Sequence, residues 1–491
     1  MHKHFRRALA TATAAALTGG LLTLATGAPA TAADSTTVPQ ADFNGDGKGD
    51  VAFSASGAYV GGKKAAGQVV ALYGTTTGVS SAKRATISQN TTGTPGAAET
   101  NDYFGNDTAY ADFNGDGYDD LAVGSPGEDV GGDVDGGGLA ILWGSASGIT
   151  GKGVTVADPA RSGHDFWGAH LAAGDFDGDG KADLAVGSST ATIYVLKGGI
   201  NSSGTPGGRY TIKPAIQGTD GNGPLNLTAG DVTGDGRTDL VVDGYETATD
   251  YGWNRNYFIP GTASGLSVAS AKALKPGVIT AIGDIDADGY GDIVSGAYWN
   301  TTTSDGTAIP DSAKGGKVWV TYGSASGPGT VTGITQDTGS VPGASEGNDY
   351  FGYELDLGDI NGDKYLDLAV GVAGENIGSA VDTGTVTILY GTASGLNTSS
   401  GAQSFAQSTA GVPGNDESDD MFGMDVKLDD VTGDGRADLI AGSGENAGNG
   451  AVTYLPSNGT KITTTGSRTI SPSTSGVSTT GSPYFGANFA D

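Results

Sequence analysis

The chain contains no cysteine among its 491 residues and has few basic residues. The absence of cysteine excludes a disulfide framework, thiolate metal sites and a cysteine nucleophile. Only 25 Lys and Arg stand against 55 Asp and Glu, which gives a net charge of −30. Because nucleic acid and anionic lipid both bind to basic surfaces, this charge argues against either as a partner.

Long apolar segments are also absent after the first 33 residues, so we predict no membrane span in the mature chain. Within residues 1–33, Lys3, Arg6 and Arg7 precede a stretch rich in Ala and Leu, and Ala30-Thr31-Ala32 has the small residues of a cleavage site. This pattern predicts a secretory signal peptide over 1–33 and a secreted, extracellular protein over 34–491. The Arg6-Arg7 pair leaves a twin-arginine signal open as an alternative to general secretion.

A nine-residue acidic motif, D-x-[DNT]-x-D-x-x-x-D, recurs seven times at spacings of 53 to 75 residues. Short apolar segments follow each copy and are bounded by Gly, Asn, Asp and Ser, which indicates strands rather than helices. Each repeat has room for four strands, and one such sheet cannot bury both of its faces alone. We therefore predict a single all-β domain, a seven-bladed β-propeller of four-stranded antiparallel blades.

The C-terminal residues 484–491 repeat the strand that precedes each acidic motif, although no motif follows them. The first motif, at Asp42, has no Phe-Gly ahead of it. We predict that the C-terminal strand closes the ring by completing the first blade, which would remove exposed strand edges. Residues 35–41 are the alternative occupant of that place.

The acidic motif has Asp at positions 1, 5 and 9 in all seven copies. Three carboxylates in one turn repel each other unless a cation lies among them. Oxygen ligands at positions 1, 3, 5 and 9, with the backbone carbonyl of position 7, suit Ca²⁺ better than Mg²⁺ or a transition metal. The sequence therefore predicts up to seven Ca²⁺ ions, and a cluster of Asx turns without an ion is the alternative.

The predicted ligands at positions 1, 3, 5, 7 and 9 are, copy by copy, Asp42, Asn44, Asp46, Lys48 and Asp50; Asp112, Asn114, Asp116, Tyr118 and Asp120; Asp175, Asp177, Asp179, Lys181 and Asp183; Asp231, Thr233, Asp235, Arg237 and Asp239; Asp284, Asp286, Asp288, Tyr290 and Asp292; Asp359, Asn361, Asp363, Tyr365 and Asp367; and Asp430, Thr432, Asp434, Arg436 and Asp438. Two copies carry a fourth carboxylate at position 3. Of these two, we expect the tightest binding at the copy that begins with Asp175, because the other has Ala287 in place of a loop glycine.

Three repeats share a Phe-Gly pair before the motif and a Gly-rich segment with Glu after it. The pairs and segments are Phe104-Gly105 with 124–129, Phe351-Gly352 with 371–376, and Phe422-Gly423 with 442–446. These residues resemble the FG-GAP repeat of integrin α-subunit propellers and of secreted actinobacterial FG-GAP proteins. The resemblance implies a seven-bladed propeller with calcium between the first and second strands of a blade.

The resemblance is incomplete, because no Phe-Gly pair precedes the motifs at Asp231 and Asp284. It also does not extend to other integrin domains, so it does not imply receptor function. The divergent region holds Tyr245, Tyr251, Trp253 and Tyr257, and Tyr298-Trp299 occupies the equivalent part of the next repeat. Such aromatic residues either bind a ligand or form a local hydrophobic plug, and we favour the plug.

Few residues are candidates for catalysis, and we assign a catalytic role to none of them. His164 and His170, the two histidines of the mature chain, flank Phe166-Trp167-Gly168, and a structural role is favoured over that of a general base. A glutamate recurs at one repeat position, which is typical of a structural acceptor; its copies are Glu128, Glu375 and Glu445.

These observations predict a secreted, monomeric, calcium-binding propeller that serves as an adhesion or ligand-binding module. Its partner is a protein or glycan that the sequence does not identify. An extracellular carbohydrate-active or esterase-type hydrolase on the same propeller is the alternative, and a glycan-binding lectin is a further one. A hydrolase would need a non-repeated polar cluster in a pocket, whereas a lectin would need aromatic residues repeated from blade to blade.

Overall fold

The computed structural model describes residues 38–218, 223–249 and 252–490. The predicted signal peptide over 1–33 and Tyr251 lie outside the described residues.

Seven antiparallel sheets, which we number as blades 1 to 7 in chain order, form a ring. Short runs rich in Val, Ile, Leu and Ala form the strands, and most of them are buried because neighbouring blades cover both sheet faces. The predicted all-β, seven-bladed propeller is confirmed.

The strands of blades 1 to 4 are β1 (Val51–Ala55), β2 (Gln68–Leu72) and β3 (Arg84–Ile87); β4 (Thr108–Ala111), β5 (Asp120–Ser125), β6 (Gly138–Leu142) and β7 (Gly153–Thr155); β8 (His170–Gly174), β9 (Asp183–Gly187), β10 (Ile193–Lys197) and β11 (Gly208–Ile212); and β12 (Asn226–Gly230), β13 (Asp239–Tyr245), β14 (Asn254–Ile259) and β15 (Lys272–Ala273). Those of blades 5 to 7 are β16 (Ile279–Gly283), β17 (Asp292–Ala297), β18 (Lys317–Thr321) and β19 (Val331–Ile334); β20 (Phe351–Gly358), β21 (Asp367–Val372), β22 (Thr385–Leu389) and β23 (Gln403–Phe405); and β24 (Asp425–Asp429), β25 (Asp438–Ser443), β26 (Ala451–Leu455) and β27 (Arg468–Ile470).

Helical structure is confined to short turns in the described ranges. These are a 3-10 turn at Val268–Ser270, α1 (Glu445–Gly448) and α2 (Pro472–Ser475). Within the same ranges, no helix has the length and apolar character that a bilayer crossing requires.

Each acidic motif connects the first and second strands of its blade, so all seven motifs lie at one end of the propeller, which we call the loop end. Position 9 begins the second strand, or directly precedes it in blade 1. Position 2 is a fully buried apolar residue in every blade, and it anchors the loop in the core between blades. These anchors are Phe43, Phe113, Phe176, Val232, Ile285, Ile360 and Val431.

Segments from both ends of the described structure complete blade 1. The Ser54 N–H donates to the Asn488 carbonyl at 2.7 Å, and the Ala490 N–H donates to the Ala52 carbonyl at 2.8 Å. Further along the same edge of blade 1, Asp50 pairs with Ala41. The predicted closure by the C-terminal strand is confirmed, and the N-terminal segment shares the position instead of competing for it.

Aromatic packing reinforces this closure. The Phe53 ring of β1 makes edge contacts with Phe485 and Phe489, at centroid distances of 4.8 and 5.8 Å. All three side chains are fully buried, in a cluster that joins blade 1 to blade 7. The last described residues therefore contribute to the hydrophobic core.

Candidate metal loops and the opposite face

The seven loops share one hydrogen-bond pattern, centred on the aspartate at position 1. In blade 3, Asp175 Oδ1 accepts from the Asp179 N–H at 3.0 Å and Oδ2 accepts from the Gly180 N–H at 2.8 Å. The corresponding bonds recur in the other six loops. Ala287 and Lys364 replace loop glycines but keep the left-handed φ of 59° and 75°, so the loop shape is common to all blades.

The aspartate at position 9 is buried and ties each loop to the end of the third strand. Asp183 Oδ1, for example, accepts from the Gly198 N–H at 2.7 Å. Burial raises the pKa of this carboxyl in every blade, and repulsion from other loop carboxylates adds to the effect. The pKa rises to about 8 for Asp50, Asp120 and Asp367 and to about 7 for Asp183, Asp239, Asp292 and Asp438.

The aspartate at position 5 is more exposed, and its Oδ1 accepts from the N–H of position 7 in each loop. These distances are 3.0 to 3.2 Å. The position 7 side chains are at least partly exposed at the loop tip, so only their backbone carbonyls remain candidates as ligands. The Arg237 side chain instead pairs with Asp235 at 2.8 Å.

Position 3 divides the loops into two groups, two loops with a carboxylate and five with a neutral Asn or Thr side chain. In blades 3 and 5, the aspartates at positions 1, 3 and 9 each offer an oxygen within 4.8 Å of the other two. In blades 1 and 2 an asparagine at position 3 turns its amide N–H towards position 9, as in the 3.1 Å bond from Asn44 to Asp50. Thr233 and Thr432 donate to position 1 in blades 4 and 7. Asn361, in blade 6, instead accepts from the Asp363 N–H at 2.9 Å.

The other end of the propeller, which we call the opposite face, contains a cavity of about 430 Å³. Loops of blades 2, 3 and 4 line it, and its lining includes Tyr103, Asp135, Phe166, His170 and Ser188. Tyr103 and Phe166 have left-handed φ values of 54° and 60°. Bulky residues rarely adopt this conformation, but Tyr350 and Tyr484 share it at the same repeat position, so it is a feature of the repeat and does not single out the cavity.

His170 lies beside a buried carboxylate at this cavity. Its Nδ1 is 3.5 Å from Asp107 Oδ2, and Asp107 is almost completely buried. Burial raises the pKa of Asp107, and His170 counteracts this rise. Asp107 Oδ1 has no hydrogen-bond partner among the described residues. The sequence did not predict this cavity, because its walls come from three different repeats.

His164 is a core residue by its surroundings. Its ring stacks on Trp167 at a centroid distance of 5.9 Å, and its Nε2 lies 3.4 Å from Asp158 Oδ1. The side chain is only 1% exposed, which matches the structural role that we favoured for it.

The recurring glutamates link neighbouring blades near the opposite face. Gln89 Nε2 donates to Glu128 at 2.5 Å and Gln336 Nε2 donates to Glu375 at 2.8 Å. Gln407 donates to Glu445 in the same way. In each pair the glutamine follows the outer strand of one blade and the glutamate belongs to the next, as expected of a structural acceptor.

The aromatic residues of blades 4 and 5 pack mainly against the protein. Tyr257 and Trp299 are half-buried against the cores between blades, and the Tyr298 ring packs at a tilt against Tyr353 with a centroid distance of 5.2 Å. This packing agrees with the hydrophobic plug that we favoured.

Comparison with known proteins finds the same repeat. A model of the FG-GAP-like repeat matches residues 112–186 and 175–242, and a model of the FG-GAP repeat matches 351–389. Integrin alpha-PS2 of Drosophila melanogaster is 28% identical over 281 residues, which cover 56% of this chain and 16% of that protein. Phosphatidylinositol-glycan-specific phospholipase D of Mus musculus is 32% identical over 151 residues, which cover 31% of this chain and 18% of the enzyme.

The match therefore spans less than a fifth of either relative. A solved structure of the Dos1 propeller aligns with a TM-score of 0.39 at 8% identity, covering 79% of this chain and 78% of that one.

Proposed function

We propose that this integrin-α-like FG-GAP repeat protein is a secreted, monomeric calcium-binding propeller that binds a protein or glycan ligand through its opposite face. The loops would hold the ions and stabilise the ring, and the cavity of blades 2, 3 and 4 would receive part of the ligand.

The donor set of the loops supports the calcium part of the proposal. Each loop offers carboxylate oxygens at positions 1, 5 and 9, and Ca²⁺ prefers six to eight oxygen ligands of this kind. Two buried carboxylate oxygens, Asp183 Oδ2 and Asp286 Oδ1, have no hydrogen-bond partner in the described structure. A bound cation would satisfy them and offset the repulsion among the loop carboxylates. The aspartates at positions 1, 5 and 9 and the side chain at position 3 would hold it, together with the position 7 carbonyl.

The cavity is the observation that carries the ligand-binding part. Its volume of about 430 Å³ lies within the range of small-molecule sites, on the order of 300–1,000 Å³. It combines aromatic rings with carboxylate, imidazole and hydroxyl groups that come from three different repeats. Such a cavity can receive one sugar unit or one side chain of a protein partner.

A matched pair of variants tests this assignment. Tyr103 and Tyr484 both precede a Phe-Gly pair, have φ of 54° and 53°, and are 39% and 41% exposed. Only Tyr103 is among the residues that line the cavity. In pull-downs from the native extracellular medium, with and without chelator, we expect Tyr103→Ala to lower ligand capture by at least about tenfold and Tyr484→Ala to leave it unchanged. Unchanged capture by Tyr103→Ala would refute the cavity as the ligand site.

A lectin with several sites is the second candidate, and one observation favours it. An aromatic residue with left-handed φ precedes the Phe-Gly or Trp-Gly pair in four blades: Tyr103, Phe166, Tyr350 and Tyr484. Equal losses of glycan binding in Tyr103→Ala and Tyr484→Ala would favour these repeated aromatics over the single cavity.

The hydrolase alternative has less support. The Ser189 hydroxyl accepts from the Asp165 N–H, and the Ser188 hydroxyl lies near Thr190. Neither is seen to pair with His170, so the cavity lacks an assigned nucleophile.

Secretion has its own test. N-terminal sequencing of protein from the culture medium should begin at Ala33, directly after Ala30-Thr31-Ala32, or at Asp34, the first residue after the predicted signal peptide. A product that remains in the cell with residues 1–33 attached would contradict the predicted signal peptide.

A further inference from the structure

The two loops with four aspartates, in blades 3 and 5, differ in one neighbouring side chain. At the end of β10 in blade 3, the Lys197 ammonium contacts Asp177 Oδ2, the carboxylate at position 3. In blade 5, Tyr322 follows β18 at the equivalent place. The loops thus have the same acidic residues but different surroundings.

Backbone hydrogen bonds establish this equivalence. Lys197 precedes Gly198, whose N–H donates to Asp183 at 2.7 Å, and Tyr322 precedes Gly323, whose N–H donates to Asp292 at 2.9 Å. The same place holds Tyr73, Trp143, Pro260, Tyr390 and Pro456 in the other blades. Blade 3 is therefore the one blade of seven with a cation here.

The Lys197 ammonium gives the position 3 carboxylate of blade 3 a charged partner that its counterpart in blade 5 does not have from this position. Asp286 Oδ1 in blade 5 is buried and has no hydrogen-bond partner in the described structure. The Asp177 side chain is also buried, at 3% exposure, but the Lys197 ammonium compensates its charge. Because the Lys197 side chain is 37% exposed, it reaches the site from the solvent side.

We propose that Lys197 is a built-in counter-ion of the blade 3 loop and makes that loop a weaker calcium site than the loop of blade 5. The inference rests on the proposed calcium binding. An entering Ca²⁺ must displace the ammonium from Asp177 or bind next to it, and both cost free energy because the two cations repel. The ranking reverses the one expected from the sequence, where carboxylate number and loop glycines favoured the loop of Asp175.

Hydrogen exchange of the full-length secreted protein, followed by mass spectrometry during a titration of free calcium, reports on each loop separately. Peptides that contain 175–183 and 284–292 give one midpoint of protection each. In the wild type we expect the blade 3 midpoint at a higher calcium concentration than the blade 5 midpoint. Lys197→Met should lower the blade 3 midpoint by about tenfold and leave the blade 5 midpoint in place.

Lys213→Met is the matched control. Lys213 directly follows β11 of the same blade and its substitution removes the same charge, but Lys213 is exposed and lies outside the acidic loop. We expect it to move the blade 3 midpoint by less than about twofold, because exposed charges are well screened. Equal shifts in both variants, or no shift in Lys197→Met, would overturn the proposal.

The reciprocal variant covers the case in which Lys197→Met does not fold. Tyr322→Lys should raise the blade 5 midpoint towards that of blade 3, and an unchanged midpoint would count against the proposal. If calcium protects neither loop in the wild type, the calcium part of the proposed function fails. If both loops are protected and the lysine substitutions have no effect, only the role of Lys197 fails.

Discussion

The two ends of the propeller differ in how strictly they repeat. At the loop end, the same backbone N–H groups donate to the aspartate of position 1 in all seven blades. At the opposite face the contacts between blades vary. Gln–Glu pairs join three pairs of neighbouring blades, and Asp158 contacts His164 between blades 2 and 3. In the other three blades a proline takes the place of the glutamine, at Pro214, Pro276 and Pro472. Chemistry that every blade needs is repeated, whereas recognition requires a surface that differs from blade to blade.

Calcium removal should produce the largest loss of thermal stability, because it acts on the loop end, where all seven blades carry the acidic motif. If the loops bind calcium with dissociation constants on the order of 10⁻⁴–10⁻³ M, as extracellular modules do, about 2 mM calcium would contribute about 0.6–1.8 kcal/mol per site, or about 4–13 kcal/mol for seven sites. We expect EDTA to lower the Tm in a thermal melt by a large margin. A Tm that is indifferent to EDTA would remove the main reason for the repeated aspartates.

Opening the ring should have the next largest effect. Phe489→Ala removes a fully buried ring from the strand that closes blade 1 and should cost about 3–5 kcal/mol. Tyr484→Ala, in the same segment but 41% exposed, should cost less than about 1 kcal/mol. Denaturant unfolding of both variants in saturating calcium measures the difference. Similar losses in the two would show that closure is not concentrated in the buried aromatics.

The smallest effect concerns the pH dependence of a Gln–Glu pair. Burial raises the pKa of Glu128 to about 7, so the folded state retains a proton that the unfolded chain releases above about pH 4. This group therefore reduces stability as the pH rises from about 4 to 7. Glu128→Gln should raise the free energy of unfolding by about 1 kcal/mol at pH 8 and change it little at pH 4. The value at pH 8 is this small because Glu128 is partly exposed to solvent.

Thermal melts at the two pH values, with Asp133→Asn at a partly exposed acidic residue of the same blade as the control, measure that difference. A gain of the same size at both pH values would mean that Glu128 acts through packing and not through its charge.

The repeat-level features could be predicted from the sequence because they depend on local chemistry. Seven motifs with apolar runs at fixed offsets predicted seven four-stranded blades, and residues 484–491 predicted the closing strand. The recurrence of Glu128 at one repeat position indicated a structural acceptor, although its partner Gln89 was not recognised. That glutamine also recurs, as Gln336 and Gln407, so a search for covarying repeat positions would have found it.

Features formed between blades could not be predicted in this way. The cavity at His170 joins loops that are more than 100 residues apart in the chain, and no local pattern marks it. The contact of Lys197 with Asp177 depends on the strand register that places residue 197 beside the loop. The sequence showed a lysine in a strand but not which carboxylate it reaches.

The central claim is that the acidic loops bind calcium, and counting the ions by native mass spectrometry tests it most directly. For the secreted protein at millimolar calcium we predict seven bound Ca²⁺ ions, all removed by EDTA. Asp284→Asn should lower the count by one, whereas Asp135→Asn, an acidic residue of the opposite face, should leave it at seven. A metal-free protein, or equal losses in the two variants, would contradict the account.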